Sequence, residues 1–457
     1  MKKVLSSGKS IYLNLLHKID LPVQAYWVKI FAMDILIKNI RVIDPYTGTD
    51  GRRDVFISGH SYSAIGKNIH KRTSKIIDGT NLWLFPGLID MHCHLREPGN
   101  EEKETILSGS ISAAAGGFTT VCCQANTEPA VDNKVVVGYI FEKAKKSPIT
   151  VLPYGAVTVG RKGAVLSPMG ELSEAGVIGF SDDGNCVMDS LIFRRALEYS
   201  KTWGKIVVSH SEDQILAKNG VMNEGVLSTK LGLRGIPAAA EHIMVYRDIE
   251  LAKLTGARLH LAHLTTKKSV ELVKEAKKQS KNITCEVTAH HLTLTEEALS
   301  NYDANAKVSP PLRTQEDIRA LIKGIKENII DAIVTDHAPH SEEEKGSGIE
   351  NAPFGMIGFE TALPLVMSLI KYGIKPIDIL SKMTVGPAKI LQLKENPIAE
   401  GSDATCVIFD PQKEWILTKE NILSLSKNTP LLNKKLSGKV LCTLYRGNIV
   451  YSEKTLL

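Results

Sequence analysis

From Met33 onward the chain opens with short alternations of apolar and polar residues: Ile35 to Ile43, Arg53 to Ile57 and Ser74 to Asp78, with a turn at Asp44-Pro45-Tyr46-Thr47-Gly48. Period-two alternation between Gly/Pro breaks marks half-buried strands, so this segment predicts a small antiparallel β unit. The texture returns at the C-terminus, in Ala404 to Phe409, Trp415 to Thr418, Lys439 to Tyr445 and Ile449 to Tyr451. Two β-rich ends around a different middle predict one domain assembled from residues 33–83 and 398–457.

The middle, residues 84–397, alternates short apolar runs with stretches of helical spacing. The runs are Leu84 to Met91, Thr119 to Cys123, Thr150 to Val157, Val177 to Phe180, Ile206 to Ser209, Arg258 to Ala262, Ile283 to Val287 and Asp331 to Val334. Helical patterns include Ser190 to Lys201, Ala238 to Leu254, Lys267 to Lys278 and Gln315 to Lys326. Alternating strand and helix implies a parallel sheet, and eight repeats predict an α/β fold of the (β/α)8 barrel type. No GxGxxG follows the first run, which weighs against a dinucleotide-binding fold.

Composition changes this picture little. Hydrophobic residues make up 43% and charged residues 23%, the usage of an ordinary globular protein. No apolar run reaches the length of a membrane span. The formal charge of +6 is uneven: residues 1–32 carry five lysines against Asp20, leaving about neutral charge for the rest. With no basic stripe in the body, nucleic acid is not the expected partner. Residues 1–32 read as an N-terminal extension, an upstream start or loose appendage before Met33, with a targeting role as the weaker reading. Seven cysteines without a CxxC pair predict reduced, buried thiols and a cytoplasmic protein.

The chemistry gathers where the apolar runs end, which in such a barrel is the catalytic face. After the first run stands Asp90-Met91-His92-Cys93-His94-Leu95-Arg96, after the fourth Ser181-Asp182-Asp183-Gly184. The fifth ends in His210, the sixth in His263, the seventh near His290-His291, and the eighth in Thr335-Asp336-His337-Ala338-Pro339-His340. Two histidines at i and i+2 on an extended chain point to the same side. Four His and two Asp, without thiolate, form a set suited to Zn2+, with Mn2+, Co2+ or Fe2+ as substitutes.

The segment Pro86-Gly-Leu-Ile-Asp-Met-His-Cys-His-Leu-Arg-Glu-Pro-Gly99 closely resembles the opening signature of the dihydroorotase family, within the amidohydrolase superfamily. Thr335-Asp-His-Ala-Pro-His340 is similar to its second signature, and Cys285-Glu286-Val287-Thr288 and Pro310-Pro311-Leu312-Arg313 agree in order. The resemblance implies a barrel beside a composite β domain, and reversible hydrolysis of dihydroorotate to N-carbamoyl-L-aspartate in pyrimidine synthesis. It implies one or two zinc ions: His92 and His94 on one metal, His210 and His263 on the other, and Asp183 bridging. Asp336 would ligate and act as general acid/base. Arg96, Asn126 and His340, with His94 nearby, would hold the substrate carboxylate, and Phe354 and Gly355 would offer backbone groups to the ring.

The bridging position separates relatives. Many superfamily members, including hydantoinases, dihydropyrimidinases and some dihydroorotases, use a carboxylated lysine there, but Gly163 to Ser200 contains no lysine. Asp183 rather than Asp182 is taken as the bridge, since its spacing to His210 fits the family resembled and it directly precedes the turn glycine. Two departures concern the substrate: Gln124-Ala125-Asn126-Thr127 replaces the usual Met-Pro-Asn-Thr, and Ser309 stands where the family has Asn. Cys93 reads as packing, His290 and His291 as support behind the ligands, and Asp189 as a helix cap. Ser341 to Gly348 reads as a solvated loop, or more sharply as a mobile lid. The alternatives are another cyclic amidase, allantoinase- or hydantoinase-like, and a scaffold for aspartate transcarbamoylase. A homodimer is left open.

Overall fold

The computed structural model describes residues 34–73 and 75–453, so the basic N-terminal extension read from the sequence lies outside the described residues. Both ends of the described chain meet in one eight-stranded sheet. Its hub, Ile35–Asp44, pairs antiparallel with Thr49–Ser58 and parallel with Lys75–Asp78 and Trp83–Pro86. Trp83–Pro86 in turn pairs antiparallel with Cys406–Ile416, which continues to Lys435–Tyr445 and Asn448–Ser452. The sheet is therefore mixed rather than purely antiparallel: after the Thr49–Gly66 hairpin the chain twice returns in the direction of its first strand.

The apolar run expected over 84–91 is two strands. Trp83–Pro86 belongs to the terminal sheet, whereas Leu88–Cys93 opens the barrel. Gly87 joins them at a close approach, because a Cβ there would collide with the side chain of Thr119. Conversely, Ala404–Phe409 and Trp415–Thr418 merge into one strand, irregular between Asp410 and Glu414.

The barrel strands are Leu88–Cys93, Phe118–Cys123, Thr150–Pro153, Gly179–Ser181, Ile206–Ser209, Leu259–Leu261, Ile283–Thr288 and Ala332–Val334. Sequential neighbours pair in parallel in two arcs, the first to third strands and the fourth to eighth. Parallel bridges Gly155 with Phe180 and Cys93 with His337 close the arcs into a ring. The second closure is drawn tight by His94 N–H to the His337 carbonyl (2.8 Å) and Asp336 N–H to the His92 carbonyl (2.9 Å). Closing the ring thus sets the first and eighth strand ends side by side.

Period two decides which side chains reach the interior. Val207, Leu259, Leu261, Ile283, Cys285, Val287 and Ile333 pack into the large core beneath the helices. Ile206, Val208, Ala262, Ala332 and Val334 fall in a separate cluster, in step with His210 and Asp336. The helices start where side chains satisfy their free N–H groups. Asp189 accepts from Leu191 and Ile192 N–H to start Ser190–Thr202, as the sequence suggests; Thr266 caps Lys267–Lys277 and Thr314 caps Gln315–Lys326. All seven cysteines are buried and unpaired. No helix of the described residues is long and apolar enough to cross a membrane.

Candidate metal and substrate site

His92, His94, Asp183, His210, His263 and Asp336 converge at the C-terminal ends of the first, fourth, fifth, sixth and eighth strands, all buried. Asp183 lies at the centre. Its Oδ1 is 3.2 Å from His92 Nε2, 3.3 Å from His263 Nε2 and 3.4 Å from His210 Nδ1, and its Oδ2 is 3.6 Å from His94 Nε2. Asp336 Oδ1 is 2.9 Å from His94 Nε2 and 3.7 Å from His92 Nε2. Asp182 turns the other way: it accepts from Val157 N–H (2.8 Å), Thr158 N–H (3.1 Å) and the Thr158 hydroxyl (2.5 Å), stitching the third strand end to the fourth.

Three site residues hold left-handed backbones: Arg96 (φ +61°), His263 (φ +32°) and Asp336 (φ +47°). For residues with a Cβ this conformation is uncommon, and it gathers here where side chains must be aimed.

The ring nitrogens are set from behind. Glu286 accepts from His92 Nδ1 (2.7 Å) and Asn126 Oδ1 from His94 Nδ1 (2.9 Å), which leaves both Nε2 lone pairs facing the cluster. Glu286 also receives His260 Nε2 at 3.0 Å. The sequence reading places Glu286 in a motif but gives it no role; its inward position on the seventh strand was the available signal.

The donor set fits a divalent cation. His92 Nε2 is buried without a well-aligned hydrogen-bond partner, and His210 Nδ1 and His263 Nε2 face each other at 2.9 Å. Facing lone pairs in a buried space require a proton or a metal between them. His92, His94 and Asp336 present ligand atoms within 4.8 Å of one another, as do His92, Asp183 and His263. The electrostatics agree. Burial opposes charge on His92, but the Asp183 and Glu286 carboxylates hold its ring well above the usual range. His210 is raised to about 10, against burial, by the Asp183 and Glu212 carboxylates beside it. Asp183 and Asp336 are held low, against burial, by the surrounding imidazoles. The cluster demands positive charge.

A cavity of about 350 Å3 opens onto His94, Asp183, His210 and Asp336, lined also by Arg96, Asn126, Glu212, Ser309, His340, Phe354 and Gly355. Arg96 donates to the Pro339 carbonyl (3.0 Å) and to His340 Nε2 (3.1 Å). Burial lowers its guanidinium to about 10, so it remains a cation at neutral pH. His340 is pushed down to about 3 by burial, with Arg96 and Lys345 adding to it, and is neutral. Ser309 donates to Glu212 Oε2 at 3.0 Å.

The backbone groups expected from Phe354 and Gly355 are largely engaged. The Gly355 N–H donates to the Lys307 carbonyl (2.9 Å), its carbonyl accepts from Asn428 (3.1 Å), and the Phe354 carbonyl lies 2.8 Å from His340 Nε2. From these three groups the two carbonyls each keep a lone pair for a ligand, and the Gly355 N–H is spent. Cys93 donates to the Cys122 carbonyl and packs in the core, as expected. His291 is spent on Thr288 (2.7 Å) and the Pro310 carbonyl (2.9 Å), while His290 Nε2 is buried without a partner. The segment read as a solvated loop or lid is pinned. Glu342–Lys345 is a short helix, and Lys345 donates to the carbonyls of Ala304 (3.0 Å) and Pro353 (2.7 Å).

Residues 82–269 match the family described as dihydro-orotase-like. A dihydroorotase of Syntrophus aciditrophicus is 45% identical over 425 residues, covering 92% of this chain and 100% of that protein. One of Caldanaerobacter subterraneus subsp. tengcongensis is 47% identical, covering 92% and 98%. Among solved structures, an L-hydantoinase (dihydropyrimidinase) from Arthrobacter aurescens superposes with a TM-score of 0.81 at 21% identity, covering 93% of this chain and 97% of that one. That likeness speaks to the fold, whereas identity near 45% along nearly the whole of both chains speaks to descent. The chain belongs to the dihydroorotase family.

Proposed function

We propose that the protein catalyses the reversible hydrolysis of (S)-dihydroorotate to N-carbamoyl-L-aspartate, a step of pyrimidine synthesis. The observation that carries this reading is the shared cavity: it joins the His/Asp cluster directly to the Arg96–His340 pair. His92, His94 and Asp336 would hold one zinc ion and His210 and His263 a second, with Asp183 between them. When bound, such ions supply a water nucleophile at neutral pH and polarise the scissile carbonyl.

The chain's own groups do the rest. The planar Arg96 guanidinium receives the substrate carboxylate; Asn126, its oxygen occupied by His94, offers its amide N–H, and neutral His340 steadies the guanidinium through Nε2. Asp336 Oδ1, beside His94 Nε2, takes the proton from the attacking water and returns it to the departing ring nitrogen. In the synthetic direction the same carboxylate removes that proton as the ring closes. Asp183 at the fourth strand end distinguishes this site from cyclic amidases that bridge with lysine. Reduced, buried cysteines suit a cytoplasmic location.

The test joins metal analysis of the purified protein with the ultraviolet absorbance of dihydroorotate during turnover. Stoichiometric metal and turnover lost on chelation are expected. Preference for dihydrouracil, which lacks the carboxylate, would replace this reading with a hydantoinase-like one.

A further inference from the structure

Among the described residues, buried carboxylates outside the His/Asp cluster are fully partnered, with one exception. Asp182 collects donors from Val157 and Thr158, Asp90 from Thr335 and His92, and Glu286 from His92 and His260. Glu241 is bonded by Thr265 and Thr266, and Glu360 by Ser112, Leu423 and Ser424. Glu212 differs. It is 6% exposed, and its Oε1 is the one carboxylate oxygen among the described residues that is buried without a hydrogen-bond partner. An unmet buried acceptor is costly, and more so when charged.

The location gives the orphan oxygen a purpose. Glu212 lines the cavity with Arg96, Asp336 and Ser309, but it is not among the groups close enough to hold a metal together. Its Oε2 takes the Ser309 hydroxyl proton at 3.0 Å, while His210 Nε2 stands off at 3.7 Å. With that proton committed, Ser309 can offer a ligand only lone pairs. Glu212 and Ser309 together present acceptors to a cavity that Arg96 faces with donors. A carboxylate placed where an anionic substrate must bind repels it, unless it meets an N–H. Dihydroorotate carries one on the nitrogen that leaves, and no side chain given a role above accepts it.

Resting on the functional reading above, we propose that Glu212 is a specificity-determining substrate contact. Its Oε1 accepts the N–H of the departing ureide nitrogen, in the ring before cleavage and in the terminal NH2 afterwards. The bond turns that nitrogen's hydrogen towards Glu212 and its developing lone pair towards Asp336, and it selects ureides over rings or chains without the donor.

The test compares binding of N-carbamoyl-L-aspartate with N-acetyl-L-aspartate, in which a methyl group replaces the terminal NH2, by calorimetry on the metal-replete protein. A hydrogen bond to a charged group predicts a wild-type preference of about ten- to a hundred-fold for the carbamoyl ligand. Glu212→Ala should collapse the preference by weakening the carbamoyl ligand alone. Glu212→Gln keeps a neutral acceptor and should fall between. If both variants retain the wild-type ratio, or weaken both ligands equally, the assignment is overturned. Dihydroorotate turnover by the same wild-type preparation separates the two readings. An active wild type with an unchanged ratio in the variants overturns only the role of Glu212, whereas a metal-replete but inactive wild type overturns the function itself.

Discussion

At the scale of single residues, adjacent aspartates have different tasks. Asp183 sits among four imidazole nitrogens, so Asp183→Asn removes the negative charge that would lie between two cations; metal content should fall well below wild type. Asp182 is a structural acceptor for three donors. Asp182→Asn should keep the metal and lose about 1–3 kcal/mol of stability, through a mismatched Thr158 contact. Metal analysis beside denaturant unfolding checks both, and the reverse pattern would shift the bridge by one position. Asp336 and Arg96 divide chemistry from binding. Asp336→Asn should collapse kcat even at saturating substrate. Arg96 meets a carboxylate charged in ground and transition states alike, so Arg96→Met should raise KM about ten- to a hundred-fold with a smaller change in kcat. The metal-ligating candidates were legible because chemistry restricts them to His and Asp at strand ends. Glu286, Glu212 and the spent N–H of Gly355 were not, since their roles depend on partners distant in sequence.

At the scale of elements, the eight barrel strands could be read from their apolar runs, and helix starts from residues such as Asp189 and Thr314. Gly87 was harder. The run through it is apolar on both sides, and only pairing of Trp83–Pro86 with Cys406–Ile416 shows that one continuous pattern serves two sheets. The strand Ser61–Gly66 escaped notice because its six residues carry only Tyr62 and Ile65 as large apolar side chains. Glu342–Lys345 inverts its composition: a polar, glycine-flanked sequence reads as solvated, yet Lys345 is buried and tethered to backbone carbonyls. Lys345→Met keeps the length of the stem and leaves those carbonyls unmet. It should cost about 1–3 kcal/mol and speed amide exchange across 341–355, beside the His340 that flanks Arg96. Unchanged exchange there would show that the helix is held by Glu344–Lys103 (2.8 Å) and Glu342–Lys419 (2.7 Å) instead.

At the scale of the whole molecule, closing the barrel concentrates buried carboxylates and imidazoles at one end, and the fold must neutralise them. Without metal, protons do so. The His210 ring, raised to about 10 in that state, binds a proton that the unfolded chain releases above about 6.5. Its contribution to the stability of the metal-free protein is therefore complete below pH 6.5 and is lost as pH rises through about 10. His92, held well above its usual range, acts in the same direction. Metal reverses the balance, because it binds deprotonated ligands and so binds more tightly as pH rises, and it stabilises the folded chain by mass action, by about 2.7 kcal/mol at a hundredfold excess over Kd. The melting temperatures of the zinc-loaded and chelated protein should consequently diverge between pH 6.5 and 9. One proton released per site widens the gap by roughly 1.4 kcal/mol per pH unit. Double replacement of His210 and His263 by Gln should reduce the divergence to what the His92–His94–Asp336 site contributes, while the chelated protein still melts cooperatively. A gap that stays constant or narrows with rising pH would mean that the cluster does not exchange protons for metal, and the ligand assignment would fail with it.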